Sequence, residues 1–546
     1  MDSSSDAALA PYLPALTAML DRLTVEQVVA RLWAHDPSLW YPAATTQARI
    51  SERLGWLDAP LPVDPALQAW INALSSSHYT AILWIAVDAG ASVRLWQSLA
   101  TGLAATPRLI LLDTVEPQTV HQRLAGLDPS KTAAVCAAVE LTPEVEALCD
   151  VVISALGLNT SSSNYQLSAL TSSGSSLQAW LDHRVPYHFV AAPARVTERF
   201  AALTPLGSIP PVLREGPVER LQAAAEEMQH RCQHTALPYN PGVWLGVVLG
   251  ILAQHGRDIL TLIAPRELLP LAEWIALFVG GSLAKHRRGL VSVVGEPMLP
   301  TTAYGRARIF VQLRLGTPKD MTFDEQTSAL AGAGHPVLRF TVSTDADHAA
   351  QIVCWQVAVA VAAVILGVNP FDEPDTVALR AALQGHLGTS APPTPPLRLS
   401  VNNPLWEEQC HAILTHPLAS YVALVLYNER TPAVEAQLVA LRARLGQTGL
   451  ATLVVEPLRD PLYATQVLHA GRPQGIILAL SGEHEHGRLD RYHRLTQLSA
   501  VRAAVDAAAW TSMGRTTLHI NLGRDVVNGL ARVYAALETC ISDRPE

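Results

Sequence analysis

Short, wholly apolar runs alternating with amphipathic helical stretches predict an α/β protein made of doubly wound parallel sheets. Three observations carry that prediction. Runs such as TAILWIAV (80–87), PRLILLD (107–113) and TAAVCAAV (132–139) have no polar face, as strands covered on both sides require. Stretches with helical spacing, SVRLWQSLATGL and PQTVHQRLAGL, lie between them. The chain has 546 residues, 49% apolar and only 16% charged, enough to bury several cores.

Taken in order, residues 1–75 read as a helical segment. LTAMLDRLTVEQVVARLW has apolar residues at three-to-four spacing, Thr24 with Gln27 has the form of a capping box, and Asp64-Pro65 opens the helix ALQAWINAL. Residues 76–216 form a first α/β domain, its strand-like runs continuing through VVISAL, NYQLSALT and YHFVAAP. The Ser-rich piece 160–176 reads as a loop running into a capped helix, not as a linker. Residues 217–390 repeat the pattern, with DILTLIA, LVSVVG, RIFVQLRL and PVLRFTV as strands. Residues 391–398, overlapping the Pro-rich TSAPPTPPL (389–397), are a linker. Residues 399–546 form a C-terminal α/β unit with SYVALVLY, ATLVVEP, GIILALS and TTLHINLG as strands.

The stretch VILGVNPFDEPDTVALR (364–380) is a helix-to-helix corner. Gly367 stops one helix, Pro374 starts the next, and Arg380 follows about a turn and a half in.

Composition excludes some functions. A net charge of −9 gives no support to nucleic acid or an anionic membrane as partner. The most apolar runs, around Trp355–Val368 and Val243–Leu252, are too short or interrupted to span a bilayer. The acidic start MDSSSDAALAPYLPAL lacks a signal-peptide pattern, so a cytoplasmic location is expected. Six scattered cysteines read as reduced, mostly buried thiols. Only Lys131, Lys285 and Lys319 are available to any mechanism that needs a lysine. The three histidines of HEHGRLDRYH (484–493) read as a solvated loop, and neither a metal nor a cofactor is expected.

Four blocks occur in the order and spacing of glucose-6-phosphate isomerases: WIALFVGGSLAKHRRGLVSVVGEP (274–297), YGRARIFVQLRL (304–315), GHPVLRFTV (334–342) and GVNPFDEP (367–374). With ARLWAHDPSLWYP, RLGWLDAP, GLATLVVEP and VLHAGRP, the resemblance extends over nearly the whole chain and is closest to the isomerase half of fused transaldolase–isomerases. It implies two sugar-isomerase (SIS) domains, each a doubly wound parallel sheet. It also implies interconversion of glucose 6-phosphate and fructose 6-phosphate, in glycolysis and gluconeogenesis, through an enediolate. A carboxylate base, a guanidinium and a Ser/Thr/Gly phosphate loop would serve that reaction.

Carried over position by position, the implied site is degraded. Gly281 stands where the family has its glutamate base, although Ser282 and Lys285 match. The family's Ser-Lys-Ser-Gly-Thr-Thr loop becomes Ala138-Val139-Glu140-Leu141-Thr142-Pro143, keeping one hydroxyl, on Thr142. Pro143 has no amide hydrogen to offer, and Glu140 would repel a phosphate. After the first strand Gly90 remains, but Asp88 intrudes. Arg199 keeps the guanidinium, with Glu198 in place of a glycine and open to pairing with an arginine. Arg380 replaces the family's lysine, and arginine does not give up its proton. Near the C-terminus His469 survives and the neighbouring lysine does not.

The expectation is an isomerase-like pseudoenzyme with an assembly or regulatory role, a homo-oligomer or the partner of a sugar-phosphate enzyme. Two alternatives stand beside it. An active isomerase with a rebuilt site would bring Arg199, Arg380, Lys285 and His469 together with a carboxylate in one open pocket. A phosphosugar-sensing module would bind sugar phosphate without turning it over.

Overall fold

The computed structural model describes residues 6–41, 43–58, 65–75, 77–99, 107–160, 166–212, 218–316, 321–387, 399–400, 403, 405, 408, 419–483 and 492–542. The linker 391–398, Asp64 of the predicted Asp-Pro cap and residues 484–491 lie outside these.

Three parallel sheets confirm the α/β class. The first has β1 (Ala81–Ile85), β2 (Arg108–Leu112), β3 (Thr132–Ala137), β4 (Leu167–Thr171) and β5 (His188–Ala191) in the order β2-β1-β3-β4-β5. The second has β6 (Ile259–Ile263), β7 (Val291–Val294), β8 (Arg308–Leu315) and β9 (Val337–Val342) in the order β7-β6-β8-β9. The third has β10 (Leu399–Ser400), β11 (Tyr421–Leu426), β12 (Ala451–Val455), β13 (Gly475–Gly482) and β14 (Thr516–Gly523) in the order β10-β14-β13-β11-β12. In each sheet a strand from the start of the unit lies inside, with its successor on one side and the next strand on the other. That reversal is the topological switch point, and ligands of such sheets bind outside the carboxyl ends of the strands there.

Two local readings differ from expectation. VVISAL is not a strand; it ends the helix Pro143–Leu156. Thr142 caps that helix and Gly157 closes it in the left-handed region, at φ 65°. A short apolar run of β-branched residues does not distinguish a buried helix from a strand. Nor does Thr24 form a capping box, because the helix Leu13–Val25 runs through it and its hydroxyl donates back to the Leu20 carbonyl. The corner is as read: the helix Asp345–Leu366 ends at Gly367, at φ 66°, and Pro374–Leu387 is the next helix.

The helices before residue 58 pack into the core around the second sheet. Leu16, Leu20 and Leu23 share a cluster with Val243 and Trp355, and the Trp40 indole donates to the Ala360 carbonyl at 2.9 Å. A second core joins all three sheets through Leu83, Ala134, Val293, Tyr421 and Ala479. Polar contacts weld the third unit to the second. Buried Glu296 takes two bonds from Arg308 and one from the Thr452 amide, and Arg442 donates to the carbonyls of Val294 and Gly295. Among the described residues one helix, Asp345–Leu366, is long and apolar enough to cross a membrane, and 89% of its most apolar window is buried inside the protein.

Candidate functional site

The first sheet places its switch point between β1 and β3. The segment after β1 carries Asp88, and the segment after β3 carries Val139, Glu140 and Thr142. The turn Glu198–Leu203 brings in Glu198 and Arg199, and the helix Pro374–Leu387 brings in Arg380. Asp88, Glu198, Arg199 and Arg380 come together, and the two arginines are held in internal ion pairs.

Arg199 is 7% exposed. Its guanidinium donates to the Gly281 carbonyl and pairs with Glu373 at 2.5 Å. Arg380 donates to Asp88 at 2.7 Å and lies 3.4 Å from Glu144. Asp88 and Glu144 together hold the Arg380 guanidinium firmly charged against the cost of burial. Glu198 pairs with no arginine among the described residues. It accepts the Val139 amide at 2.9 Å, so a side chain of the protein takes an amide of the loop where the resemblance expects phosphate. Burial, with nearby Asp88 adding repulsion, pushes its carboxyl up to about 7. Burial also raises Asp88, with Arg380 opposing. Four carboxyl groups thus face two guanidinium groups, a balance that disfavours a dianion.

The other predicted residues take structural positions. Thr142 accepts from the Val145 amide at 3.3 Å as a helix cap. Glu140 accepts from Ser176 at 2.6 Å, and the same hydroxyl accepts the Leu141 amide. Ser282 is fully buried, its hydroxyl without a hydrogen-bond partner among the described residues. The Lys285 ammonium turns into the corner, donating to the Asn369 carbonyl at 2.6 Å and to the carbonyl and carboxylate of Asp372. Burial, and then the charge of Arg199, lower it to about 8. His469 belongs to a separate buried group, 3.3 Å from Asp506, which also holds Arg502 and the Tyr427 hydroxyl. Arg199 and Arg380 therefore come together, whereas Lys285 points into the corner and His469 lies with the third unit.

Gly281 has a second role in this arrangement. The helix Leu269–Leu283 turns Gly280 and Gly281 toward the short helix Pro461–Thr465 of the third unit. A Cβ on Gly280 would stand 2.5 Å from the Tyr463 ring, and one on Gly281 would stand 3.1 Å from the Leu462 methyl. The glycine pair lets the two helices touch, and Arg199 lies beside Gly281 as well, its Cδ 3.6 Å from where a Cβ would stand. The short helix is held in place at its start. Arg94 bridges Asp113 and Asp460 at 2.5 and 2.7 Å, and Arg123 and Arg459 also converge on Asp113. Their charges hold the fully buried Asp113 carboxyl well below its ordinary value despite burial.

The hollow that remains, between Asp88, Glu198, Arg199, Trp274, Leu462 and Tyr463, measures about 40 Å³. Small-molecule sites usually measure roughly 300–1,000 Å³. Leu462 and Tyr463 of the third unit fill the space beside Arg199 and Gly281. Sequence reasoning missed Glu373, Leu462 and Tyr463. Glu373 stood in plain sight inside the corner motif, but the third unit's intrusion leaves no local pattern.

No protein-family model matches the chain. A glucose-6-phosphate isomerase of Carboxydothermus hydrogenoformans is 25% identical over 230 residues, 41% of this chain and 48% of that protein. Another, from Methanocaldococcus jannaschii, is 26% identical over 109 residues, 20% of this chain and 27% of that protein. The chain thus spans about half or less of the curated relatives it matches, and the match covers less of this chain than the motif blocks do. Among solved structures, a hypothetical protein from Thermus thermophilus superposes with a TM-score of 0.55 and 17% identity, over 69% of this chain and 99% of that one. The chain is similar in sequence to glucose-6-phosphate isomerases and shares its fold with the Thermus protein.

Proposed function

We propose that the chain, similar as it is to glucose-6-phosphate isomerases, keeps the isomerase scaffold without the isomerase step and works through assembly with other proteins. The observation that carries this reading is a glycine at 281 with the Leu462 methyl 3.1 Å from where its Cβ would stand. The position expected to hold the base has no carboxylate, and even a Cβ there would meet that methyl. General base catalysis typically supplies about 10²–10⁴-fold, and no other described carboxylate takes over. Glu373 is the nearest replacement on Arg199, but it is held in an ion pair beside a hollow too small for a sugar phosphate. Glu198 on the Val139 amide and Asp88 on Arg380 are internal carboxyl groups that satisfy the groups a phosphate would use.

The cores and inter-unit ion pairs remain intact around this filled site, which fits a protein retained for its surface and its associations. Oligomerisation, or pairing with an enzyme of sugar-phosphate metabolism, belongs to the same reading. Its test is turnover of glucose 6-phosphate to fructose 6-phosphate by pure protein, with thermal shift under phosphosugar titration. The expected result is no turnover and no saturable rise in Tm. Turnover at an enzyme's rate would favour a rebuilt isomerase site, and a saturable rise alone would favour a phosphosugar sensor.

A further inference from the structure

The loop that follows β3 is bracketed by two cysteines. Cys136 sits on β3 and Cys149 on the helix Pro143–Leu156, and both are buried. Alternate residues of a strand share a face, so Ala134 and Ala138 flank Cys136 on its side of the sheet, in the core that also holds Cys149. Val145 and Val152, about a turn either side of Cys149, are buried with it. Alanines on the strand let the helix lie close, and the two sulfurs stand 3.1 Å apart. A disulfide bond measures about 2.05 Å, so about 1 Å of approach joins them.

What lies between and beyond the two cysteines gives the pair its leverage. Between them are Val139, whose amide donates to Glu198, and Leu141, whose amide donates to Ser176. The helix itself reaches the other two units. Glu144 lies 3.4 Å from Arg380 of the corner helix. Glu146 pairs at 2.7 Å with Arg494 of the third unit, where Asp150 joins it. A bond from Cys149 to β3 would therefore fix to the first sheet the helix on which the first unit meets the second and the third.

We infer that Cys136 and Cys149 are a modification site, where a reversible disulfide staples the loop after β3 and locks its helix to the sheet. The oxidant is a hydroperoxide, for which hydrogen peroxide serves. One sulfur attacks the peroxide and becomes a sulfenic acid, releasing water. The second thiol then displaces the sulfenic oxygen, which leaves as water with that thiol's proton. The two sulfurs together give up two electrons, and the O–O bond takes them. The hydrogen bond with Cys136, and then burial, push the Cys149 thiol well above its ordinary value. The reaction therefore waits on brief separation of helix and strand, and the closed bond is shielded from reductant in the same way. None of this depends on the state of the isomerase site.

The test exposes the full, folded chain to hydrogen peroxide over hours, then blocks the remaining thiols with N-ethylmaleimide in denaturant. Glu140, Glu144 and Glu146 lie between the two cysteines, so a glutamate-specific protease separates them unless a disulfide holds the fragments together. Mass spectrometry is expected to find the fragments of Cys136 and Cys149 linked, and dithiothreitol to release them. The thiol count, six in the reduced chain, is expected to fall by two. Closing a ring of this length makes departure of the helix from the strand rarer by up to roughly a hundredfold, read as slower amide exchange across residues 138–156. Cys149→Ala should abolish both the linked fragments and the change in exchange. Cys136→Ala takes its place if that variant folds poorly, and the fragment map of the parent needs neither. Six free thiols after peroxide, thiols lost without linked fragments, or a link that leaves exchange unchanged would each overturn the inference.

Discussion

Glu198→Gln gives the most quantitative perturbation of the filled site. The ordinary carboxyl value of 4.5 rises to about 7 in the folded protein, through burial and then the charge of Asp88. Between those values the folded chain holds a proton that the unfolded chain has released. The stabilisation from Glu198 is therefore fully present below about pH 4.5 and is lost as pH rises to about 7. At about 1.36 kcal/mol per pH unit the ceiling is about 3 kcal/mol, and partial exposure of the residue reduces it to about 2 kcal/mol. Glutamine is neutral throughout, keeps a carbonyl for the Val139 amide, and offers an NH₂ near Asp88, whose Oδ1 has no hydrogen-bond partner among the described residues. Urea unfolding at pH 5 and pH 8 measures the difference. The variant should match the parent at pH 5, exceed it by about 2 kcal/mol at pH 8, and show a flatter pH dependence. Equal pH dependence in both proteins, or a less stable variant at pH 8, would refute the placement of Glu198 as a buried carboxyl on the loop.

Gly281→Ala should be nearly neutral, because about 1 kcal/mol of helix propensity offsets a 3.1 Å contact with a leucine methyl that can shift. Gly281→Glu should lose about 1–3 kcal/mol by overpacking and restore no turnover, read by urea unfolding and a coupled assay. Leu462→Ala should cost about 2–5 kcal/mol by leaving a cavity against Gly281, measured the same way. Lys285→Met leaves the acceptors on Asn369 and Asp372 unpaired and should cost about 1–3 kcal/mol at pH 7. Because Lys285 is lowered from 10.5 to about 8, the unfolded chain binds more protons between those values, so parent stability gains a rising component there that the variant lacks.

Much of the fold was legible because its strands are buried on both faces. A run such as AILWI in β1 leaves no polar side, and a parallel sheet is the usual place for it. The corner at Gly367 was legible because a left-handed helix end selects glycine. VVISAL misled because apolar β-branched residues suit a fully buried helix as well as a strand. β10 was invisible, since two residues carry no period. At the site, Asp88, Glu198, Arg199 and Arg380 could be named from their chain positions, and the structure brings all four together. Their partners could not be named, because Glu373, Glu144, Leu462 and Tyr463 reach the site from distant segments. Pairing and steric filling are set by tertiary packing, and nothing in the local sequence reports them.

Hydrogen exchange tests proton abstraction by the protein more directly than net isomerisation does. Pure protein incubated with glucose 6-phosphate in D₂O would be followed by NMR at the sugar's second carbon. With glycine at 281 and Leu462 against it, no protein-dependent deuterium incorporation at that carbon is predicted, in the parent or in Gly281→Glu. Incorporation there that scales with protein concentration and is lost in Arg199→Ala would show a working base in the site and contradict the account.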